Sequence, residues 1–179
     1  MIIKCFEKVL KYKIVTKVLL IAIPLISILF PRPYVLLVSF DGFRYDYLDR
    51  VDTPNFDKLK LDGTSAESLI SVFPSFTFPN HYSIATGTYA GTHGLIANSF
   101  YRKDFKESYS MRNRNTVIDG KWYGAEPIWV TAEKQGVNTA TYFWVGSEAE
   151  ISGVRPSIYE SYDGSIPFAE RVDSVFEWF

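Results

Sequence analysis

Hydrophobic and polar positions are grouped along this chain in blocks that predict strands and helices in turn. A continuous apolar run at residues 34–40 is typical of a central strand buried on both faces. Residues 65–73 and 138–144 predict two further strands. Cap and stop signals predict helices from Pro54 to Gly63, over 80–86, over 127–135 and from residue 168 onward. This alternation favours βαβ units, and therefore an α/β fold with a mostly parallel sheet flanked by helices.

The first 33 residues have a different pattern, which predicts export. Six basic residues and one glutamate give this segment a charge of +5. An uncharged apolar run of thirteen residues, 18–30, follows the lysines, as in a secretory signal. Because a bilayer crossing needs about 20 apolar residues, a membrane anchor would have to use residues 14–30 and remain uncleaved. We expect residues 1–33 to be a signal peptide or signal anchor, with a buried helix as the alternative, and the body to be periplasmic or extracellular.

Charge and cysteine content exclude several classes of protein for the remaining residues. The whole chain of 179 residues has a net charge of −1, so residues 34–179 carry −6. An acidic body of this kind lacks the electrostatic footprint that binds nucleic acid duplexes. The single cysteine, Cys5, leaves the body with no disulfide framework and no thiol nucleophile.

Asp41 directly follows the first predicted strand, which makes it a candidate metal ligand. Ligands of open parallel sheets collect beyond the carboxyl ends of the strands, and a carboxylate there suits a divalent cation. The alternative is an ordinary Asp-Gly turn, since Gly42 comes next. The pattern alone leaves both interpretations open.

A hydroxyl side chain, Thr77, precedes the helix predicted over 80–86 and is a candidate nucleophile. Helix starts offer unpaired backbone N–H groups and a positive dipole end, which can hold phosphoryl oxygens while a metal-activated hydroxyl attacks. The alternative is a helix N-cap. His81 lies on the same short element and is expected to make structural hydrogen bonds, whereas His93 is expected in a loop. The alternative for either histidine is the base of a Ser/Thr-His-Asp triad. Asn98, in a polar stretch (98–126) predicted to be mostly loop, is a candidate phosphoryl-oxygen donor or a turn residue.

Beyond these single residues, the body resembles the nucleotide pyrophosphatase/phosphodiesterase family of the alkaline phosphatase superfamily. The resemblance runs over residues 34–179 and rests on several ordered motifs. They are VSFDGFR at 38–44, TPN at 53–55, FPSFTFPNHY at 73–82, TG at 86–87, HG at 93–94 leading to Asn98, GAEPIWVTA at 124–132, YFWVGS at 142–147 and YDGSIP at 162–167.

This resemblance implies a zinc-dependent hydrolase that cleaves phosphodiester or pyrophosphate bonds of nucleotides. Thr77 would be the nucleophile, with its oxygen on one of two zinc ions, and Asp41 would bind the other. The resemblance also implies a substrate pocket, in which Asn98 would hold a phosphoryl oxygen. The other residues implied to bind substrate are Phe78, Met111, Trp144 and Tyr162.

The chain departs from the family pattern at a few positions. Val145 stands in place of a usual proline, Met111 in place of leucine, and residues 90–92 (AGT) in place of a proline-bearing turn. The family's other metal-binding aspartates and histidines would follow Phe179. We therefore expect residues 34–179 to be the N-terminal part of an alkaline-phosphatase-like phosphodiesterase domain, inactive by itself and able to dock a complementary C-terminal part. The alternatives are a non-catalytic binding protein and a related phosphatase or phosphonate hydrolase.

Overall fold

The computed structural model describes residues 34–179, so the predicted signal or anchor segment lies outside the described residues. By its internal contacts the chain divides into two compact units, one ending at Phe40 and the other spanning Asp41–Phe179. Every helix and strand of the described residues lies in the second unit. Among residues 34–179, no helix combines the length and hydrophobicity that a membrane crossing requires.

Two of the strand predictions are wrong. Residues 34–40 and 65–73 have no regular secondary structure and are exposed almost throughout, so neither forms the buried strand that its apolar sequence indicates. An apolar run gives only the tendency to form a strand, because the ladder itself requires a neighbouring strand that pairs with the backbone. Leu69 and Phe73 expose 81% and 90% of their surface.

The helices follow the cap and stop signals closely. Helix α1 begins at Pro54 and ends at Gly63, as predicted. The helix predicted over 80–86 begins three residues earlier and ends at Gly87, which takes the left-handed conformation that favours glycine. The helices are α1 (Pro54–Asp62), α2 (Thr77–Thr86), α3 (Ala90–His93), α4 (Arg114–Val117), α5 (Ile128–Lys134) and α6 (Phe168–Phe176), with 3-10 turns at Tyr47–Asp49 and Gly120–Trp122.

Four strands form two small sheets in the described residues. Strands β1 (Ser99–Arg102) and β2 (Glu107–Ser110) make an antiparallel hairpin in the region predicted to be mostly loop. Strand β3 (Ala140–Tyr142) confirms the third strand prediction and pairs in parallel with β4 (Ile158–Glu160). The fold is therefore α/β, but within residues 34–179 the parallel sheet is limited to this one pair.

An aromatic core packs behind α2 and fixes its position. Tyr82 is fully buried on α2, its ring lies 5.1 Å from that of Tyr123, and its hydroxyl donates to the Ala125 carbonyl at 2.5 Å. A Cβ at Gly146 would lie 3.0 Å from both rings, so only glycine allows the 144–149 turn to approach this closely. Burial raises the pKa of the Tyr82 hydroxyl because it disfavours the ionised form.

Candidate active site

The candidate site is built on the first turn of α2. The N-cap residue is Phe76, and Thr77 is the first helical residue. The loop before the helix is fixed by Asn80, whose Oδ1 accepts from the Val72 N–H at 2.7 Å and whose Nδ2 donates to the Phe76 carbonyl at 2.9 Å. The sequence does not indicate this role of Asn80, whose only signal is its place inside the FPSFTFPNHY motif.

The structure brings Thr77 and Asp41 together across 36 residues of sequence. Thr77 Oγ1 donates to Asp41 Oδ2 at 3.3 Å. Gly42, directly after Asp41, has a φ of +66°, which lets the chain turn away from the carboxylate. The N-cap residue, Phe76, makes no side-chain capping hydrogen bond. The Thr77 hydroxyl therefore faces a carboxylate instead of satisfying the helix backbone.

Asn98 joins the start of α2 to the end of the hairpin. Its Oδ1 accepts from the Phe78 N–H at 3.0 Å, and its carbonyl accepts from the Met111 N–H at 2.8 Å. The Oδ1 atom is thus occupied at the helix N-terminus, while Nδ2, on the same carbon, supplies donor hydrogens in the same neighbourhood. The side chain of Met111 is 39% exposed beside it.

Trp144 is held against the same helix. Its Nε1 donates to the His81 carbonyl at 3.1 Å, and the two rings meet edge to face at 5.7 Å. The His81 Nδ1 lies 2.9 Å from the Thr77 carbonyl, so it carries the proton and donates. His81 makes structural hydrogen bonds, as predicted.

Tyr162 lies in the loop after β4 and is 61% exposed. Its ring lies 5.1 Å from that of Phe143, which directly follows β3. Because β3 and β4 run parallel, their carboxyl ends meet at one edge, and this places Trp144 and Tyr162 after neighbouring strand ends. The ring of Phe78 contacts Tyr109 in the core at 6.4 Å.

His93 is buried, and the prediction that it lies in a loop is wrong. It ends α3 and exposes none of its surface. Its Nδ1 accepts from the Leu95 N–H at 3.1 Å, so the neutral ring is protonated at Nε2, which donates to Ser83 Oγ at 2.9 Å. Burial lowers the pKa of His93 by disfavouring its charged form. With both nitrogens occupied, His93 has no atom left to act as a base on a substrate.

The donors at this site are too few for a complete zinc centre. Within residues 34–179, no group of three or more His, Cys, Asp or Glu side chains could hold a metal ion. Zinc sites take three or four protein ligands, whereas Asp41 and Thr77 supply one carboxylate and one hydroxyl. The described residues therefore fit part of a metal site only.

Comparison of the sequence with models of known protein families identifies the family of this chain. The model of the type I phosphodiesterase / nucleotide pyrophosphatase family matches residues 35–179. The chain belongs to this family. Its membership in the wider alkaline phosphatase superfamily agrees with the resemblance that the motifs indicated.

Curated relatives of this phosphodiesterase family are similar over most of the chain. Human ectonucleotide pyrophosphatase/phosphodiesterase family member 1 is 45% identical over 151 residues, which is 83% of this chain and 16% of that protein. The venom phosphodiesterase of Naja atra is 46% identical, over 83% of this chain and 18% of its own length. The chain thus spans less than a fifth of the length of each of these two relatives.

Solved structures of the family share the fold. Human ectonucleotide pyrophosphatase/phosphodiesterase 5 has a TM-score of 0.77 and 38% identity, over 82% of this chain and 39% of the solved one. The murine protein has a TM-score of 0.74 and 36% identity, over 79% and 38%. A second murine structure is an inactive variant with alanine in place of a threonine, in complex with AMP.

Proposed function

We propose that this chain carries the nucleophile-bearing part of an exported enzyme that hydrolyses phosphodiester or pyrophosphate bonds of nucleotides. Thr77 is the proposed nucleophile. The observation that carries the proposal is the hydrogen bond from the Thr77 hydroxyl to the Asp41 carboxylate, 3.3 Å long, at the N-terminus of a ten-residue helix. Such a helix end favours negative charge, and a phosphoryl group in transfer is negatively charged.

The proposed reaction has two steps. The Thr77 oxygen forms a bond to phosphorus as the bond from phosphorus to the leaving-group oxygen breaks. The leaving group takes the electron pair of that bond, and the hydroxyl proton of Thr77 passes to solvent water. Water then attacks the resulting threonine ester, which releases the product and restores the hydroxyl. The Asn98 Nδ2 and the backbone N–H of Thr77 would stabilise charge on the phosphoryl oxygens in both steps, because the Phe78 N–H already donates to Asn98 Oδ1 and Pro79 has no N–H.

From the family resemblance, we propose that the complete enzyme uses two zinc ions. Asp41 and Thr77 would each contribute to one of them, and the other ligands would come from outside the described residues. Bound cations of this kind favour the ionised form of a hydroxyl, which is the chemistry that Thr77 needs. A chain that supplies only these two donors is proposed to bind metal weakly and to turn over substrate negligibly by itself.

Phe78, Met111, Trp144 and Tyr162 are proposed to line the pocket for the rest of the nucleotide. The half-buried Trp144 and the exposed Tyr162 offer ring surfaces of the kind that stack on a nucleobase. The murine relative solved with AMP supports a nucleotide ligand, and its inactivity with alanine in place of a threonine supports a threonine nucleophile. The names of the relatives, an ecto-enzyme and a venom protein, support export.

The test is hydrolysis by a chimera in which residues 35–179 replace the matching part of the murine relative. We expect the chimera to hydrolyse a nitrophenyl nucleotide diester faster than a nitrophenyl phosphate monoester. Thr77→Ala should lower kcat by at least about a thousandfold, whereas Thr77→Ser, which keeps a hydroxyl, should retain measurable turnover.

Two outcomes would contradict the proposal. Normal turnover of the Thr77→Ala chimera would remove the nucleophile assignment, and preference for the monoester would favour a phosphatase. Calorimetry with AMP, run on the same chimera as the hydrolysis assay, is the control that separates loss of binding from loss of turnover. Binding without turnover in a folded chimera would instead favour the non-catalytic binding protein.

A further inference from the structure

Arg171, on α6, is bonded to the loop that carries Tyr162. Its Nε donates to the Ile166 carbonyl at 2.8 Å, and its Nη2 reaches the Gly164 carbonyl at 3.4 Å. Hydrogen bonds from a charged guanidinium to carbonyls are stronger than those between neutral groups. One side chain therefore fixes two peptide units of the loop between β4 and α6.

The same guanidinium also holds an aromatic pair. It lies 5.1 Å from the ring centroid of Phe143 and 4.8 Å from that of Phe168. Phe143 has a φ of +57°, a backbone conformation that is costly for an aromatic residue and persists only where the surroundings enforce it. Arg171 is part of those surroundings, because it covers the Phe143 ring.

Tyr162 lies near both of the groups that Arg171 contacts, the Phe143 ring and Gly164. Its ring lies 5.1 Å from that of Phe143, and a Cβ at Gly164 would lie 3.2 Å from its hydroxyl oxygen. The hydroxyl end of Tyr162 therefore lies close to Gly164, whose carbonyl accepts a hydrogen bond from Arg171. Since Tyr162 is largely exposed, packing into the core does not fix its position, and these contacts do.

We infer that Arg171 is a positioning residue that sets Tyr162 for stacking on a nucleobase, and so favours ligands with a base over base-free phosphates. The inference rests on the proposed function, in which Tyr162 lines the nucleotide pocket. Arg171 itself touches no reacting atom. Its effect passes through the Phe143 ring and the Gly164 carbonyl to the tyrosine.

The experiment compares the wild-type chain with Arg171→Leu, Arg171→Lys and Arg155→Leu. Arg155 is a matched control, because its guanidinium also lies over an exposed tyrosine, Tyr159 at 5.9 Å. Hydrogen exchange of backbone amides reports how firmly residues 162–166 are held. Calorimetry with AMP and with ribose 5-phosphate reports binding with and without a base.

In Arg171→Leu we expect amide exchange at 162–166 to accelerate by about tenfold or more, while exchange in α2 stays unchanged. The affinity for AMP should fall by about tenfold, and that for ribose 5-phosphate should not change. Arg171→Lys keeps the charge and one donor group, so its amide exchange at 162–166 and its AMP affinity should lie between those of Arg171→Leu and the wild type. Arg155→Leu should match the wild type in every measurement.

Two results would overturn the inference. Unchanged amide exchange at 162–166 in Arg171→Leu would show that Arg171 does not position the loop, whether or not the affinity for AMP changes. Equal loss of affinity for AMP and ribose 5-phosphate would remove the selectivity for the base. A wild-type chain that binds neither ligand would contradict the proposed function instead, and the exchange rates would still decide whether Arg171 holds the loop.

Discussion

Asn98 combines two roles that one substitution can separate. Its Oδ1 accepts from the Phe78 N–H, which is a structural contact, while its Nδ2 is the proposed donor to a phosphoryl oxygen. Asn98→Asp keeps an acceptor at the helix N-terminus, where negative charge is favourable, but removes the donor. We expect its free energy of unfolding to stay within about 1 kcal/mol of the wild type, and its affinity for AMP to fall at least tenfold.

Urea denaturation and calorimetry with AMP measure the two quantities. Asn98→Ala is the matched control, because it removes both groups and should lose about 1 kcal/mol of stability as well as affinity. An aspartate variant that binds AMP as tightly as the wild type would show that Nδ2 does not contact the ligand.

His93 makes the stability of the chain depend on pH. Burial lowers its pKa in the folded state, so below the unfolded value of about 6.5 the unfolded chain binds more protons than the folded one. The contribution of neutral His93 to the free energy of unfolding is complete above that pH. It is lost as the pH falls toward the pKa of His93 in the folded chain, by at most about 1.4 kcal/mol per pH unit. Protonation of Nδ1 would also replace the acceptor of the Leu95 N–H with a second donor, so that hydrogen bond would be lost.

Urea denaturation between pH 7.5 and 5.5 measures this effect. The wild type should lose stability over this interval, and His93→Asn, which has no titrating ring, should lose less. The NMR titration of His93 provides a check without a variant, and a midpoint at or above 6.5 would contradict the assignment.

At the scale of elements, one carboxylate ties the starts of β3 and β4 together. Glu133, on α5, accepts from the Thr139 N–H and hydroxyl, both at 2.7 Å, and from the Ser157 N–H and hydroxyl at 2.8 and 3.0 Å. Burial acts to raise the pKa of Glu133, but these hydrogen bonds outweigh it and hold the pKa below its usual value. This contact supports the parallel pair whose far ends carry Trp144 and Tyr162.

Glu133→Ala should therefore destabilise the chain by about 2 kcal/mol, because it leaves the donors of both strand starts without their acceptor. Glu126→Ala is the control, because this carboxylate precedes α5 and pairs with Lys134 at a partly exposed site, and its effect should be much smaller. Thermal unfolding measures both variants. Equal shifts in Tm would show that the Glu133 contacts do not hold the strands.

The elements also show which sequence signals are reliable. Pro54 and Gly63 predicted both ends of α1, and Gly87 predicted the C-terminus of α2, because the φ preferences of proline and glycine act locally. The start of α2 lies three residues before its predicted position, and Thr53 makes no side-chain capping hydrogen bond. A strand forms only where a neighbouring strand pairs with its backbone, and two of the three strand predictions are wrong for that reason. The β1–β2 hairpin was missed because its polar residues alternate weakly, with only Tyr109 buried among the eight.

At the scale of the whole molecule, metal binding tests how much of the site this chain supplies. Zinc titration of the full chain by calorimetry should show weak binding without a stoichiometry of two, since Asp41 and Thr77 are too few ligands. Asp41→Asn should abolish what binding there is. Tight binding of two ions by the wild type would contradict the proposal that the other ligands lie elsewhere.

The ordered motifs in the sequence are enough to identify the family and to nominate the candidate site residues, and proline and glycine predict both ends of α1 and the C-terminus of α2. They can do so because caps, turns and ordered motifs are local and can be read along the chain. Three features come from the folded chain alone: Thr77 faces Asp41, His93 is buried with both nitrogens occupied, and Arg171 is hydrogen-bonded to the loop that carries Tyr162. Each of these depends on contacts between residues far apart in sequence, whose geometry is set by packing of the aromatic core and by strand pairing.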